Sequence, residues 1–81
     1  MKYQEAVDHF ESVRDKYDVP DEAVLNYVEK RLVEIDVDQE SEDSGEVEDT
    51  LVWVAYYSHK MRFYKLYSDM FGKIVKVEKG R

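Results

Sequence analysis

The chain contains no cysteine, one proline and three glycines, and its longest apolar run, Leu51 to Tyr57, has seven residues. Without cysteine there is no disulfide, no thiol nucleophile and no thiolate ligand for zinc. A run of seven falls far short of the roughly 20 apolar residues that cross a bilayer as a helix. The opening Met1-Lys2-Tyr3-Gln4-Glu5 lacks the apolar stretch of a signal peptide, so a cytoplasmic protein is expected. Gly45, Gly72 and Gly80 are too scattered for a phosphate-cradling loop, and no HExxH, GxSxG or kinase-like set is present. His9 lies one helical turn from Glu5, and His59 adjoins Ser58. A surface i,i+4 pair and two neighbours in a turn do not make a catalytic triad. The chain therefore reads as a non-enzyme with no cofactor and no metal.

What remains is a chain of 81 residues, 43% hydrophobic and 38% charged. That length supports one domain, 1–81. A domain so small buries only roughly 60–65% of the surface of its unfolded chain. Lacking disulfides, it must draw stability from a compact core rich in aromatics. Seven Tyr, three Phe and Trp53 are available for it.

The spacing of Tyr3, Ala6, Val7, Phe10, Val13 and Tyr17 predicts an amphipathic first helix. Asp18-Val19-Pro20-Asp21-Glu22 stops it, and the proline followed by acids suits the first turn of a second helix. That helix would bury Val24, Tyr27, Val28 and Leu32 and complete a helical hairpin over about 2–33, ending near Leu32 or running on to Val37. Val33, Ile35 and Val37 then alternate with Glu34, Asp36 and Asp38, the pattern of a half-buried strand. An acidic strand and loop over about 33–49 leads into a β-meander over about 47–79, with strands at Val47 to Tyr57, Met61 to Ser68 and Lys73 to Lys79. The expected fold is α+β, ααββββ: an N-terminal helical hairpin packed on a three- or four-stranded antiparallel meander.

The net charge of −7 conceals a division. Residues 1–49 hold 17 acidic and 5 basic side chains, and residues 50–81 hold 2 and 7. Between Glu34 and Asp49 there are nine carboxylates and no basic residue: Glu34, Asp36, Asp38, Glu40, Glu42, Asp43, Glu46, Glu48 and Asp49. In a strand, Glu34, Asp36, Asp38 and Glu40 would share one face at a pitch of about 6.8 Å. Such an array imitates a nucleic-acid backbone, and its self-repulsion costs stability unless a partner offsets it. The plain alternative is a solvated edge strand whose charges block edge-to-edge pairing. Calcium fits poorly. A loop opened by Asp36, Asp38 and Glu40 has Ser41 and Val47 where an EF-hand needs Gly and Glu, and starting at Asp38 puts Asp43 in place of the glycine.

The basic half supplies a second surface. Arg62, Lys65, Lys73, Lys76, Lys79 and Arg81 lie among Phe63, Tyr64, Tyr67 and Phe71, an interleaving seen in single-strand nucleic-acid binders. No Gly-aromatic RNP motif accompanies it. If Leu51, Trp53, Ala55 and Tyr57 face the core, Val52, Val54 and Tyr56 face away. They form a homodimer patch, or a surface covered by lysine and arginine stems. Tyr56, Arg62, Tyr64 and Lys65 are the secondary interface candidates.

The expected function is non-catalytic. The acidic segment would bind a basic protein surface, that of a nucleic-acid-binding enzyme, and block it as a nucleic-acid mimic. The small acidic character resembles that of phage proteins that block restriction, CRISPR or repair enzymes, a likeness of composition alone. Direct nucleic-acid binding through the basic sheet, or a small dimeric assembly protein, are the alternatives.

Overall fold

A computed structural model describes residues 2–36 and 47–81. The chain begins with helix α1, Tyr3–Val13, which tightens into a 3₁₀ turn, Arg14–Tyr17. Asp18 ends it in the left-handed conformation, φ 62°, with its N–H returned to the carbonyls of Arg14 and Asp15. Four strands follow, β1 Val24–Asp36, β2 Val47–His59, β3 Arg62–Ser68 and β4 Ile74–Gly80. They form one antiparallel sheet in the order β1-β2-β3-β4.

The fold is thus α+β with one helix and a four-stranded meander. The expected second helix is instead strand β1. The ladder is irregular at Asn26. Leu25 pairs with Tyr57 and Tyr27 with Tyr56, so Asn26 is an extra residue bulged out of the ladder. A bulge places residues three apart on one face, so Val24 and Tyr27 share the uncovered face while Val28 and Leu32 lie on the opposite one, and the expected helical stripe is divided between the two faces. β1 is rich in β-branched and aromatic residues, and it supplies the second neighbour that the central strand β2 needs. Of the four side chains assigned to the core of a second helix, only Val28 is buried; Val24, Tyr27 and Leu32 are exposed.

Directly opposed residues share a face of the sheet. On one face Val28, Trp53, Ala55, Tyr57, Tyr64 and Leu66 pack against Ala6 and Phe10 of α1, with Val19 and Ala23 from the linker closing the end. On the other face, which no helix covers among the described residues, Val52 and Val54 are nonetheless fully buried, 0% exposed. They lie with Tyr67 beneath Val33, Tyr56 and Val75. Long cationic side chains complete this lid, Lys76 over the ring of Tyr67 and Lys65 over Tyr56 and Phe63.

Two turns organise the meander. Lys60 and Met61, at φ 48° and 67°, join β2 to β3 between the paired His59 and Arg62. Two consecutive left-handed residues are the type I′ geometry whose twist matches the flanking strands. Between β3 and β4, the Asp69 carboxylate accepts the N–H groups of Phe71 and Lys73 at 2.8 and 2.9 Å. Gly72 turns the chain at φ 96°, where a side chain would be strained. Its carbonyl meets the Nε2 of His9, which ties α1 to this turn.

Candidate functional site

Strand β3 pairs with β2 only between Trp53 and His59. The β1–β2 ladder continues past it, from Arg31↔Val52 to Asp36↔Val47. Here the sheet narrows to a two-stranded ribbon about 17 Å long. Helix α1 covers Trp53, Ala55 and Tyr57 and stops short of the ribbon, so the side of the ribbon continuous with the core is bare. Leu32 and Leu51 face each other there, 63% and 45% exposed. One rung further out, Glu34 faces Asp49. Tyr3, edge-on to Trp53 at a centroid distance of 6.0 Å, bounds the patch on the inner side.

The ribbon therefore brings four of the nine acidic candidates into one framework. Glu34 and Asp49 are directly opposed, Glu48 pairs with Ile35, and Asp36 pairs with Val47. Asp38, Glu40, Glu42, Asp43 and Glu46 lie outside the described residues. No cation among the described residues reaches Glu34 or Asp49 within ion-pair distance. Like charges directly opposed across a ladder are unfavourable. Leu32 and Leu51, by contrast, are anchors of the kind that interfaces bury.

The secondary candidates separate. Tyr56 and Lys65 oppose each other on the uncovered face of the sheet. Tyr64 is buried in the core against the helix, and Arg62 opens β3 at the turn. The reason is the two-residue period of a strand: 62 and 64 point one way and 65 the other. Around Tyr56 the uncovered face is ordered by aromatic and ionic contacts. Tyr27 stacks on Tyr56 with centroids 4.3 Å apart, and Arg31 donates to the Tyr56 hydroxyl at 3.1 Å. The charges on this face are paired. Arg31 lies 3.3 Å from Glu29, Lys76 3.0 Å from Glu78 and Lys65 4.0 Å from Glu78. The hydrogen bond from Lys76 holds the Glu78 carboxyl below the usual carboxylate range. Burial, followed by the nearby Glu78, pushes the Tyr67 hydroxyl up to about 12.

At the other end of β2 the charge is reversed. Lys60, Met61, Arg62 and Arg81 line a shallow cleft that continues over Tyr64, Lys79 and Gly80. Met61 stands almost free of the protein, 95% exposed. Lys79 is tied at the flank to Asp18, 3.5 Å away. Among the described residues Lys60, Arg62 and Arg81 have no ion-pair partner.

Arg14 is a structural residue that the sequence pattern does not single out. It donates from Nη2 to the carbonyls of Pro20 and Ala23, the latter at 2.7 Å, and from Nη1 to Glu11 at 2.9 Å. Its guanidinium also sits 4.7 Å from the centroid of the Tyr57 ring. Burial, aided by Glu11 and opposed by Arg14, pushes the Tyr57 hydroxyl up to about 12. A lone arginine at the end of an amphipathic helix carries no signal of this role.

No group of three or more His, Asp or Glu side chains among the described residues is placed to hold a metal ion. No helix among them is long and apolar enough to cross a membrane. Comparison with protein-family models, with curated proteins and with solved structures finds no match.

Proposed function

We propose that this protein is a non-catalytic binding module whose acidic β-ribbon occupies the basic groove of a nucleic-acid-binding enzyme and inhibits it. One observation carries this reading. Glu34 and Asp49 are opposed on a two-stranded ribbon, with no cation among the described residues within ion-pair distance, beside an exposed apolar pair. Charge of this kind speeds encounter with a basic groove, and Leu32 and Leu51 supply contacts that slow dissociation. An inhibitor of the sort phage direct against nucleic-acid-cleaving defence enzymes is the specific form of the proposal.

Direct nucleic-acid binding through the sheet has less support. Its aromatic stack, Tyr27 on Tyr56, suits base stacking. The three cations around it, Arg31, Lys65 and Lys76, are paired with two carboxylates, Glu29 and Glu78, which leaves only a small net positive field for a phosphate backbone. A homodimer through that face would draw on Tyr27 and the rim alone, since Val52 and Val54 are buried within one chain.

The test is affinity capture on the immobilised protein, followed by competition. Proteins captured by the parent should be released by excess duplex DNA or RNA and should not bind a Glu34→Lys, Asp49→Lys variant. Capture that survives excess nucleic acid, or that the variant retains, overturns the proposal.

A further inference from the structure

We infer that the two ends of this protein are complementary to each other, and that copies associate head to tail, the acidic ribbon of one seated on the basic cleft of the next. The two surfaces lie at opposite ends of β2, whose thirteen residues span about 40 Å. At one end are Glu34 and Asp49 with the exposed Leu32 and Leu51. At the other are Lys60, Arg62 and Arg81 around a cleft, with the exposed Met61 beside them. Each end carries charge of one sign with no ion-pair partner among the described residues, beside an apolar anchor, and each supplies what the other lacks.

The same features oppose a two-fold contact. Ribbon against ribbon would bring four carboxylates together, and cleft against cleft would do the same with cations. A contact between unlike ends is heterologous, so it leaves one free end of each kind and grows into chains or closes into rings. The net charge of −7 does not forbid it. The ends are separated by several times the screening length of about 10 Å at 0.1 M salt, so each is felt locally. The acidic Asp21 and Glu22 precede β1 near the basic end, but they do not line the cleft. Lys60 and Met61 hold the cleft wall in a left-handed turn that Asn-Gly would form with less strain. The turn instead presents a cation and a thioether to solvent.

Sedimentation velocity on the whole chain tests this. At about 50 mM salt the weight-average mass should rise past that of a dimer as the protein approaches about 1 mM, and at about 1 M salt it should fall toward monomer. Two end-blocked variants sharpen the test. Leu32→Ser with Glu34→Gln and Asp49→Asn removes the ribbon contact, and Lys60→Gln with Met61→Ser and Arg62→Gln removes the cleft contact. Each alone should stay monomeric, and an equimolar mixture should form a dimer and nothing larger. All six positions are on the surface or at its edge, and unchanged far-UV circular dichroism confirms folding. A parent that stays monomeric at low salt, a parent that stops at a dimer, a variant that still associates, or a mixture that fails to pair overturns head-to-tail association. Because the ribbon face is the one assigned to a basic partner, competition between that partner and self-association follows if both hold. Loss of self-association alone leaves the inhibitor proposal standing.

Discussion

Glu34 and Asp49 stand directly opposite each other across the β1–β2 ladder, two carboxylates at the end of the sheet where, among the described residues, no third strand is paired. An edge guarded only against aggregation needs charge, but it does not need like charges in register. Directly opposed charges of one sign cost stability, and an opposed pair of unlike sign returns roughly 0.2–1 kcal/mol.

Asp49→Lys should therefore raise stability by a few tenths of a kcal/mol to about 1 kcal/mol while weakening capture of a basic partner. Chemical denaturation and the capture experiment read the two effects separately. If the substitution leaves capture intact, the opposed carboxylates serve solubility and nothing more.

Arg14 holds the chain between the helix and β1 by donating to the carbonyls of Pro20 and Ala23. Arg14→Met keeps much of the stem but deprives both carbonyls of their charged donor, and should cost about 2–3 kcal/mol. Arg14→Lys should recover little, because an ammonium cannot reproduce the planar fork that serves Glu11 and two carbonyls at once. Urea midpoints of the two variants check this; a lysine variant as stable as the parent would show that charge alone suffices.

Tyr57 and Tyr67 ionise at about 12 in the folded protein, against about 10 for a free side chain. A group whose folded pKa is raised contributes stability that is complete below the unfolded value and is lost as the pH climbs through the folded one. Stability should thus hold up to about pH 10 and decline between about 10 and 12. Tyr57→Phe should reduce the size of that alkaline loss, since it removes one of the two groups whose folded pKa is raised to about 12. Glu78 acts in the opposite sense. Its lowered pKa gives stability that is present above the ordinary carboxylate range and is lost as the pH falls through the folded value. Thermal melts across pH, with absorbance of tyrosinate as the second signal, follow both limbs.

The β2–β3 turn carries two left-handed residues, Lys60 and Met61, at positions where side chains cost energy and glycine or asparagine does not. Replacing them with Asn and Gly should stabilise the hairpin by about 1–2 kcal/mol. The same change removes a cation and the exposed Met61 from the basic cleft, so it should also reduce head-to-tail association. A rise in melting temperature with unchanged association would separate the turn from the proposed contact.

Much of this was legible from residue order. The stripe through Ala6 and Phe10 marked α1, and Val52 and Val54 were assigned to the opposite face from Trp53, Ala55 and Tyr57, as observed. Over Val24 to Leu32 the spacing of Val24, Tyr27, Val28 and Leu32 imitates a helical stripe, whereas the strand with its bulge at Asn26 divides the four between two faces. Tyr64 was grouped with Lys65 as interface, although neighbours on a strand point to opposite faces, and one is core while the other is surface.

Sequence alone determined that this protein has no disulfides, an N-terminal amphipathic helix, an antiparallel meander toward its end, and negative charge gathered between Glu34 and Asp49. Those are properties of composition and local period, which a chain carries before it folds. Tertiary structure decided which charges meet. Cross-strand register set Glu34 against Asp49 and Leu32 against Leu51, and the short reach of β3 left that ribbon unsupported. Strand pairing joins residues far apart in the chain, and a shift of one residue would turn every side chain to the other face.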